Sequence, residues 1–472
     1  MLVILAMALG GALALAPPAL GHAVVREIIP ADAGRVDATP AQVVVRFSEP
    51  VQLLQPTDLQ VVDATGNPVS SGPGRVQPSD ASVIEVPVRD GLPPGTYTTR
   101  WRVVSADGHI IPGAAVFALG DVPMAPPYLG GPGGASGPTE TSAWAVTARW
   151  IELVGIGGLV ALLVFRLLVW RAAWRPPPPM PQSQRDAALG WSRDAWWIGF
   201  GALALVALLG EAAVLVVKTA GSLGTSVWGA LGDPAGIVRV LADTRFGDLL
   251  QIRTLALFVV FALGVWRFLA EYRSDAAPAP DRADGGTWPM VAMLVPALVA
   301  LGSISAQGHA STTSLPELQV PMDALHAAMA SAWVGGLAIV GVHLLRLPKV
   351  AGEGGRTAGG LALARFSALA LVAVGILVAS GVVRAFGQMT SPADLWETPY
   401  GWTILVKIGL LVLAAVLAFR SRRIVTSLRR RGGAPNTATL AIVRRSAWIE
   451  TGITLVIVAF SALLVGQVPP IS

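Results

Sequence analysis

Tyr97-Thr98-Thr99-Arg100-Trp101-Arg102-Val103-Val104-Ser105-Ala106-Asp107-Gly108-His109 is the stretch on which the reading of this chain turns. Its first seven residues alternate inward and outward side chains in the manner of a strand. Its end, Ser105-Ala106-Asp107-Gly108-His109, carries two side chains able to bind a metal. Asp107 and His109 are two positions apart, so on an extended strand end both point to one side. The chain has only 5 histidines. Another of them, His22, follows Ala19-Leu20-Gly21, a small-residue pattern suited to signal-peptide cleavage. Cleavage there would make His22 a mature N-terminus, with a free α-amine beside its imidazole. Amine, two imidazoles and one carboxylate make an N/O donor set, and a flattened site of that kind suits Cu(II) better than the other common ions.

Working outward, Val43-Val44-Val45-Arg46-Phe47 and Ser82-Val83-Ile84-Glu85-Val86 alternate in the same way. Turn signals separate the runs: Thr65-Gly66-Asn67-Pro68, Ser71-Gly72-Pro73-Gly74 and Leu92-Pro93-Pro94-Gly95. Short alternating strands between turns predict a small antiparallel β-sandwich or barrel over 22–119, long enough to bury its own core. Before it, Leu2 to Ala16 is a short apolar run followed by Pro17-Pro18, which reads as the core of a signal peptide over 1–21. No Lys or Arg precedes that run, which leaves a true start upstream of Met1 open.

Residues 120–142 are rich in Gly, Pro and Ser and read as a linker. Its coil reach, on the order of 25 Å, would let the sandwich hover over the remaining chain. From 143 to 472 the character changes. The whole is 53% hydrophobic and 13% charged, with a mean hydropathy of +0.61. A soluble protein carries about 25% charged residues, so most of this chain belongs in lipid. Eight apolar segments, at about 143–170, 194–218, 247–270, 288–308, 322–345, 362–387, 401–420 and 446–467, each approach the ~20 residues a bilayer requires. Arginines crowd the connections after the first (Arg171, Arg175, Arg185, Arg193) and the seventh (Arg420, Arg422, Arg423, Arg429, Arg430, Arg431), and the connection after the fifth holds Arg346, Lys349 and Arg356. Residues 310–321 have neither Lys nor Arg. The positive-inside rule then puts the sandwich, the 310–321 loop and the C-terminus outside, with Arg239 and Arg245 a mild exception. The net charge of +5 therefore reports topology. No basic face interleaved with aromatics suggests a nucleic-acid partner, and no P-loop suggests a nucleotide. With 0 cysteines, thiolate metal sites and disulfides are excluded.

The β segment resembles the periplasmic copper-binding protein CopC in His22-Ala23, Phe47-Ser48-Glu49-Pro50-Val51, Gly95-Thr96-Tyr97 and Trp101 to His109. The resemblance implies a Greek-key sandwich with a Cu(II) site from His22, Asp107 and His109, and Glu49 nearby as a weak or supporting ligand. Some CopC proteins add a methionine-rich loop for Cu(I). Residues 52–95 here contain no Met, so a Cu(II)-only domain is expected. The helical part resembles CopD, the copper-resistance inner-membrane protein, in Thr244-Arg245-Phe246-Gly247 with Arg253, Gly308-His309-Ala310, Asp323-Ala324-Leu325-His326 and Trp333-Val334-Gly335-Gly336-Leu337. Arg365-Phe366-Ser367, Tyr400-Gly401 with Lys407, and Glu450 continue the likeness. The whole chain resembles a CopC–CopD fusion, an all-β sandwich joined to an all-α polytopic membrane domain.

Ionisable residues inside a membrane each need a reason. Glu152, Glu211, Arg253, His309, His326, Arg384 and Lys407 fall in the outer half, and Glu450 and His343 toward the inner side. Glu152, Glu211, Arg253 and Lys407 read either as paired structural charges or as the lining of a path. His309 and His326 flank the uncharged outer loop, with Met322 and Met329 one turn from His326 and Met389 in the next outer loop. Imidazole and thioether together would suit Cu(I), although methionines also fill packing gaps. His343, beside Arg346, reads as an ordinary interfacial histidine. The leading expectation is a non-enzymatic copper handler that takes Cu(II) outside and passes copper inward, with membrane lipid and copper as partners and a homo-oligomer compatible with the sequence. Two alternatives stay open: a redox enzyme binding haem or copper through paired histidines, and a membrane-anchored copper sensor or buffer.

Overall fold

The computed structural model describes residues 23–105, 110–130, 138–174, 178–273, 287–311, 313, 315–430, 437–467 and 469–470, with side chains left out over 425–440. The described residues begin with nine strands: β1 (Val25–Ile29), β2 (Gly34–Val36), β3 (Gln42–Phe47), β4 (Val51–Gln52), β5 (Leu59–Val62), β6 (Arg75–Gln77), β7 (Asp80–Pro87), β8 (Gly95–Ser105) and β9 (Ile110–Leu119). One sheet runs β1-β3-β7-β6. The other runs β2-β9-β8-β4, with β5 also paired to β8. All pairs are antiparallel except β2 with β9. The inward residues of the two sheets, Val43, Val45, Phe47, Ile84 and Val86 against Leu59, Val61, Trp101, Val103 and Phe117, are all buried and form one core. Period-two alternation supplies that apolar face, and the sandwich is what hides it.

Strand β8 is buried on both faces. Its outer face is covered by residues 121–130 lying along it. Thr96 donates to the Pro123 carbonyl at 3.2 Å, and the Ala125 and Tyr128 amides donate to the hydroxyls of Thr96 and Thr98 at 3.0 and 2.9 Å. Arg100 reaches the Gly130 carbonyl and, at 2.9 Å, Gln60.

The helices are α1 (Ala143–Ala173, with a π-helical stretch at Phe165–Trp170), α2 (Gln182–Leu223), α3 (Val227–Leu231), α4 (Pro234–Asp243), α5 (Arg245–Arg273), α6 (Trp288–Gln307), α7 (Pro316–Phe386), α8 (Asp394–Glu397), α9 (Pro399–Arg430) and α10 (Thr437–Leu464). Among the described residues, 7 helices are long and apolar enough to cross a membrane. The 71 residues of α7 would span roughly 107 Å if straight, against a hydrocarbon core of about 30 Å. The backbone in fact breaks at Ala351 and Gly352, where Gly352 has φ +52°. The segments expected at 322–345 and 362–387 lie on either side of that break, so α7 holds two of the eight expected spans. Their connection, expected as a loop, is helical up to the kink. The kink is tight enough that a Cβ on Gly355 would overlap the Leu347 carbonyl oxygen.

The sandwich does not hover. Leu54 packs against Val240, Phe246 and Leu250 of α4 and α5. Arg102 donates to the Gly221 carbonyl of α2 at 2.7 Å, and a Cβ on Gly221 would meet Ile110 at 2.7 Å. The expected free linker gives way to a seated domain, because single side chains from one loop and two strands find partners on the helices. His343 also departs from expectation. It is 8% exposed and enclosed by Phe165, Trp170 and Trp191 at ring distances of 5.3, 4.8 and 5.3 Å, with Nδ1 at 2.8 Å from the Ile339 carbonyl. It is enclosed in an aromatic box rather than open to solvent.

Candidate functional site

His22, Asp107 and His109 lie outside the described residues. Their described neighbours are placed, and they gather at one end of the sandwich. Val25 opposes Phe47, and the Ser48 amide donates to the Val24 carbonyl at 2.9 Å, so the chain after His22 runs beside Ser48 and Glu49. Val51 opposes Ser105, and Val104 opposes Ile110, so Ser105 and Ile110, which flank residues 106–109, both lie next to the same segment. Glu49 is 3% exposed there, buried between β3 and β4. Trp101 belongs to the core, edge-on to Phe47 with ring centroids 6.4 Å apart, and Arg102 joins the sandwich to α2. The end that carries Ile110 is the end seated on the helices.

Beneath it lies a cavity lined by Ile110, Thr139, Glu140, Arg149, Lys218 and Gln307. Glu140 takes both cations, Lys218 at 2.7 Å and Arg149 in a closer contact. Deeper, Arg253 is fully buried and held by Glu152 of α1 at 3.3 Å and Glu211 of α2 at 2.6 Å. Its second terminal nitrogen reaches Gln307 at 3.3 Å, and Thr254 donates to Glu211 at 3.0 Å. Glu152 and Glu211 are brought together because α1 and α2 touch backbone to backbone: a Cβ on Gly210 would lie 2.5 Å from Glu152 Cα. Three of the intramembrane charges singled out in the sequence thus form one cluster.

The other polar residues occupy separate places. His309 is buried in a 3₁₀ turn, His309–Ser311, at the end of α6. His326 on the first half of α7 has Nδ1 at 3.1 Å from the Ser380 hydroxyl on its second half, and one turn away Asp323 pairs with Arg384 at 2.7 Å. Met329 is partly buried and packs against both apolar cores of the helical domain, and Met322 and Met389 are partly buried. Lys407 of α9 is partly buried as well. Glu450 of α10 is 2% exposed and accepts from Ser446 at 2.8 Å and Ser421 at 3.3 Å. Among the described residues no three His, Asp or Glu side chains gather as a ready metal site. Sequence reasoning missed the Glu140–Arg149–Lys218 group; it singled out Arg384 and Asp323 but not their pairing. Glu140, Arg149 and Lys218 stand near helix ends, where charge is ordinary and gives no signal, and a pairing between residues sixty-one positions apart leaves no local pattern.

Residues 25–120 match the CopC domain family, and residues 360–464 match the family Copper resistance protein D, CopD. Copper transport protein CutJ of Bacillus subtilis (strain 168) is 27% identical over 419 residues, which covers 88% of this chain and 70% of CutJ. Protein YobA of Escherichia coli (strain K12) is 33% identical over 106 residues, 22% of this chain and 82% of YobA. Among solved structures, CopC from Methylosinus trichosporium OB3b is 27% identical and covers 21% of this chain and 93% of its own, with a TM-score of 0.19. PcoC, a methionine rich copper resistance protein from Escherichia coli, is 25% identical, covering 21% and 99%, with a TM-score of 0.18.

Proposed function

The chain belongs to the CopC–CopD family of copper-resistance proteins, a CopC domain fused to a CopD membrane domain, and from that premise we propose that it captures Cu(II) at the sandwich and delivers copper into its helical domain. It is a multi-pass membrane protein that handles copper. His22 with its α-amine, Asp107 and His109 are the proposed Cu(II) ligands, with Glu49 as a buried carboxylate beside them. The observation that carries this reading is the convergence of Ala23, Glu49, Ser105 and Ile110 at the sandwich end seated on the helices. An N/O donor set at that end would hold Cu(II) at the mouth of the membrane domain. From there the proposed path inward runs past His309 and His326, with Met322, Met329 and Met389 as soft donors once a one-electron donor outside this chain has reduced the ion to Cu(I).

The proposed orientation puts the sandwich and the C-terminus on the extracytoplasmic side. The arginine-dense end of α9 supports it. The two arginines that ran against the rule have local employment: Arg239 pairs with Asp233 at 3.5 Å, and Arg245 donates to the Ala306 carbonyl at 3.0 Å. Copper-loaded wild type, His109→Ala and His326→Ala, compared by bound copper per chain, EPR and absorption, test the reading. Two pools are expected: a tetragonal Cu(II) signal lost in His109→Ala, and an EPR-silent pool lost in His326→Ala. A single pool lost only in His109→Ala would leave the helices as an anchor for a copper buffer. A Soret band would point to a haem redox enzyme instead.

A further inference from the structure

Glu152 and Glu211 share a guanidinium, whereas Glu450 does not. The Glu450 carboxylate is 2% exposed on α10, and its side-chain contacts are two hydroxyls, Ser446 one turn back at 2.8 Å and Ser421 of α9 at 3.3 Å, both donating to Oε1. No described cation pairs with it. Three helices pack against α10: α1, α7 and α9. On α9, Arg422 donates to Ser367 at 2.8 and 3.0 Å, Arg423 lies over the Phe419 ring at 5.8 Å, and Arg420 is exposed. On α7, His343 sits in its aromatic box and Arg365 is exposed. On α1, Arg149 is bound to Glu140 at the sandwich end, and on α10 itself Arg444 is partly buried and Arg445 exposed. Glu450 lies fourteen residues, about 21 Å, from the end of α10 at Leu464. That end adjoins Glu140 and Arg149, since a Cβ on Gly466 would overlap the Glu140 carbonyl oxygen. Thr437, the other end of α10, is thirteen residues away, so Glu450 stands near the middle of the helix, well separated from the sandwich.

A carboxylate buried without a counter-charge is strongly disfavoured in its ionised form, so it takes up a proton or a cation. The oxygens that converge here are one carboxyl and two hydroxyls, short of the six to eight that a hard cation such as Ca²⁺ gathers. With both hydroxyls donating to Oε1, Oε2 is left to carry a proton. We infer that Glu450 is a proton-carrying site within the helical domain, and that copper movement through that domain is linked to loss and recovery of its proton. The linkage rests on the copper-delivery reading; the protonated state of Glu450 does not.

The test uses full-length protein in proteoliposomes, as wild type, Glu450→Gln and Glu450→Asp, with two readouts. Infrared spectra at neutral pH should show a carboxylic-acid carbonyl band in wild type that Glu450→Gln lacks. Radioactive copper flux under an imposed pH gradient should rise at least tenfold in wild type and Glu450→Asp and stay unchanged in Glu450→Gln, whose copper bound per chain should equal wild type. A missing band, a Glu450→Gln flux that still follows the pH gradient, or a sodium gradient that replaces it would overturn the inference. Wild-type vesicles that show the band yet move no copper would uphold the proton site and sink the delivery reading.

Discussion

Arg253 shows what a single residue contributes. It is fully buried, and among the described residues it is the cation paired with both Glu152 and Glu211. Arg253→Met would leave two carboxylates in a low-dielectric interior, which should cost about 3–5 kcal/mol. The cost is measurable as lost resistance to denaturant in detergent, followed by tryptophan fluorescence. Adding Glu152→Gln and Glu211→Gln should recover most of it, and a single-variant cost below about 1 kcal/mol would mean the cluster is not structural. These residues were legible in the sequence because charge inside an apolar segment stands out. Their pairing was not, since it depends on helices far apart in the chain. His326 and Asp323 illustrate the same limit: the sequence put them one turn apart, and only the fold brings Ser380 and Arg384 to them.

Elements were read well wherever the period was clean. The alternating runs at 43–47, 82–86 and 97–103 fall within β3, β7 and β8. The two- and three-residue strands β2, β4 and β6 are too short to carry a period, and the α7 kink was hidden because a helical turn and a charged loop share the residues Arg346 to Arg356. Between β4 and β5, Asp58 accepts from the Leu54 and Gln55 amides at 2.9 and 2.8 Å, and burial pushes its carboxyl up to about 6 from 3.8. The folded sandwich thus holds this proton more tightly than the unfolded chain does. Stability is fully present below about pH 4, falls as pH rises through about 6, and above that carries a penalty on the order of 3 kcal/mol. Asp58→Asn should remove that slope and slow hydrogen exchange of β5 and β8 amides at pH 7 relative to wild type, with little difference at pH 4. Equal exchange at both values would show that Asp58 titrates as an ordinary surface carboxylate. At the α1–α2 contact, Gly210→Val should force the helices apart and cost about 1–3 kcal/mol in the same denaturant assay.

At the scale of the whole molecule, the seating of the sandwich decides whether captured copper has a direct route onward. Linker composition alone implied a tether, because a docking contact made by scattered side chains leaves no pattern in the sequence. Leu54 in the apolar group with Val240, Phe246 and Leu250, and Arg102 on the Gly221 carbonyl, are the two contacts that most directly oppose release. Leu54→Asp would put a charge into the apolar contact, and Arg102→Met would remove the hydrogen bond while keeping much of the side-chain bulk. The chain has no cysteine, so a single Leu241→Cys, at a residue packed against the same apolar group as Leu54, reports docking against a silent background. A membrane-impermeant maleimide should label it slowly in the otherwise native protein and at least tenfold faster with Leu54→Asp and Arg102→Met together. If docking serves delivery, the same double variant keeps its Cu(II) signal and its copper per chain at the sandwich while flux into vesicles falls in parallel with the rise in labelling. Fast labelling with undiminished flux would mean that copper leaves the sandwich into bulk water and reaches the helices by diffusion.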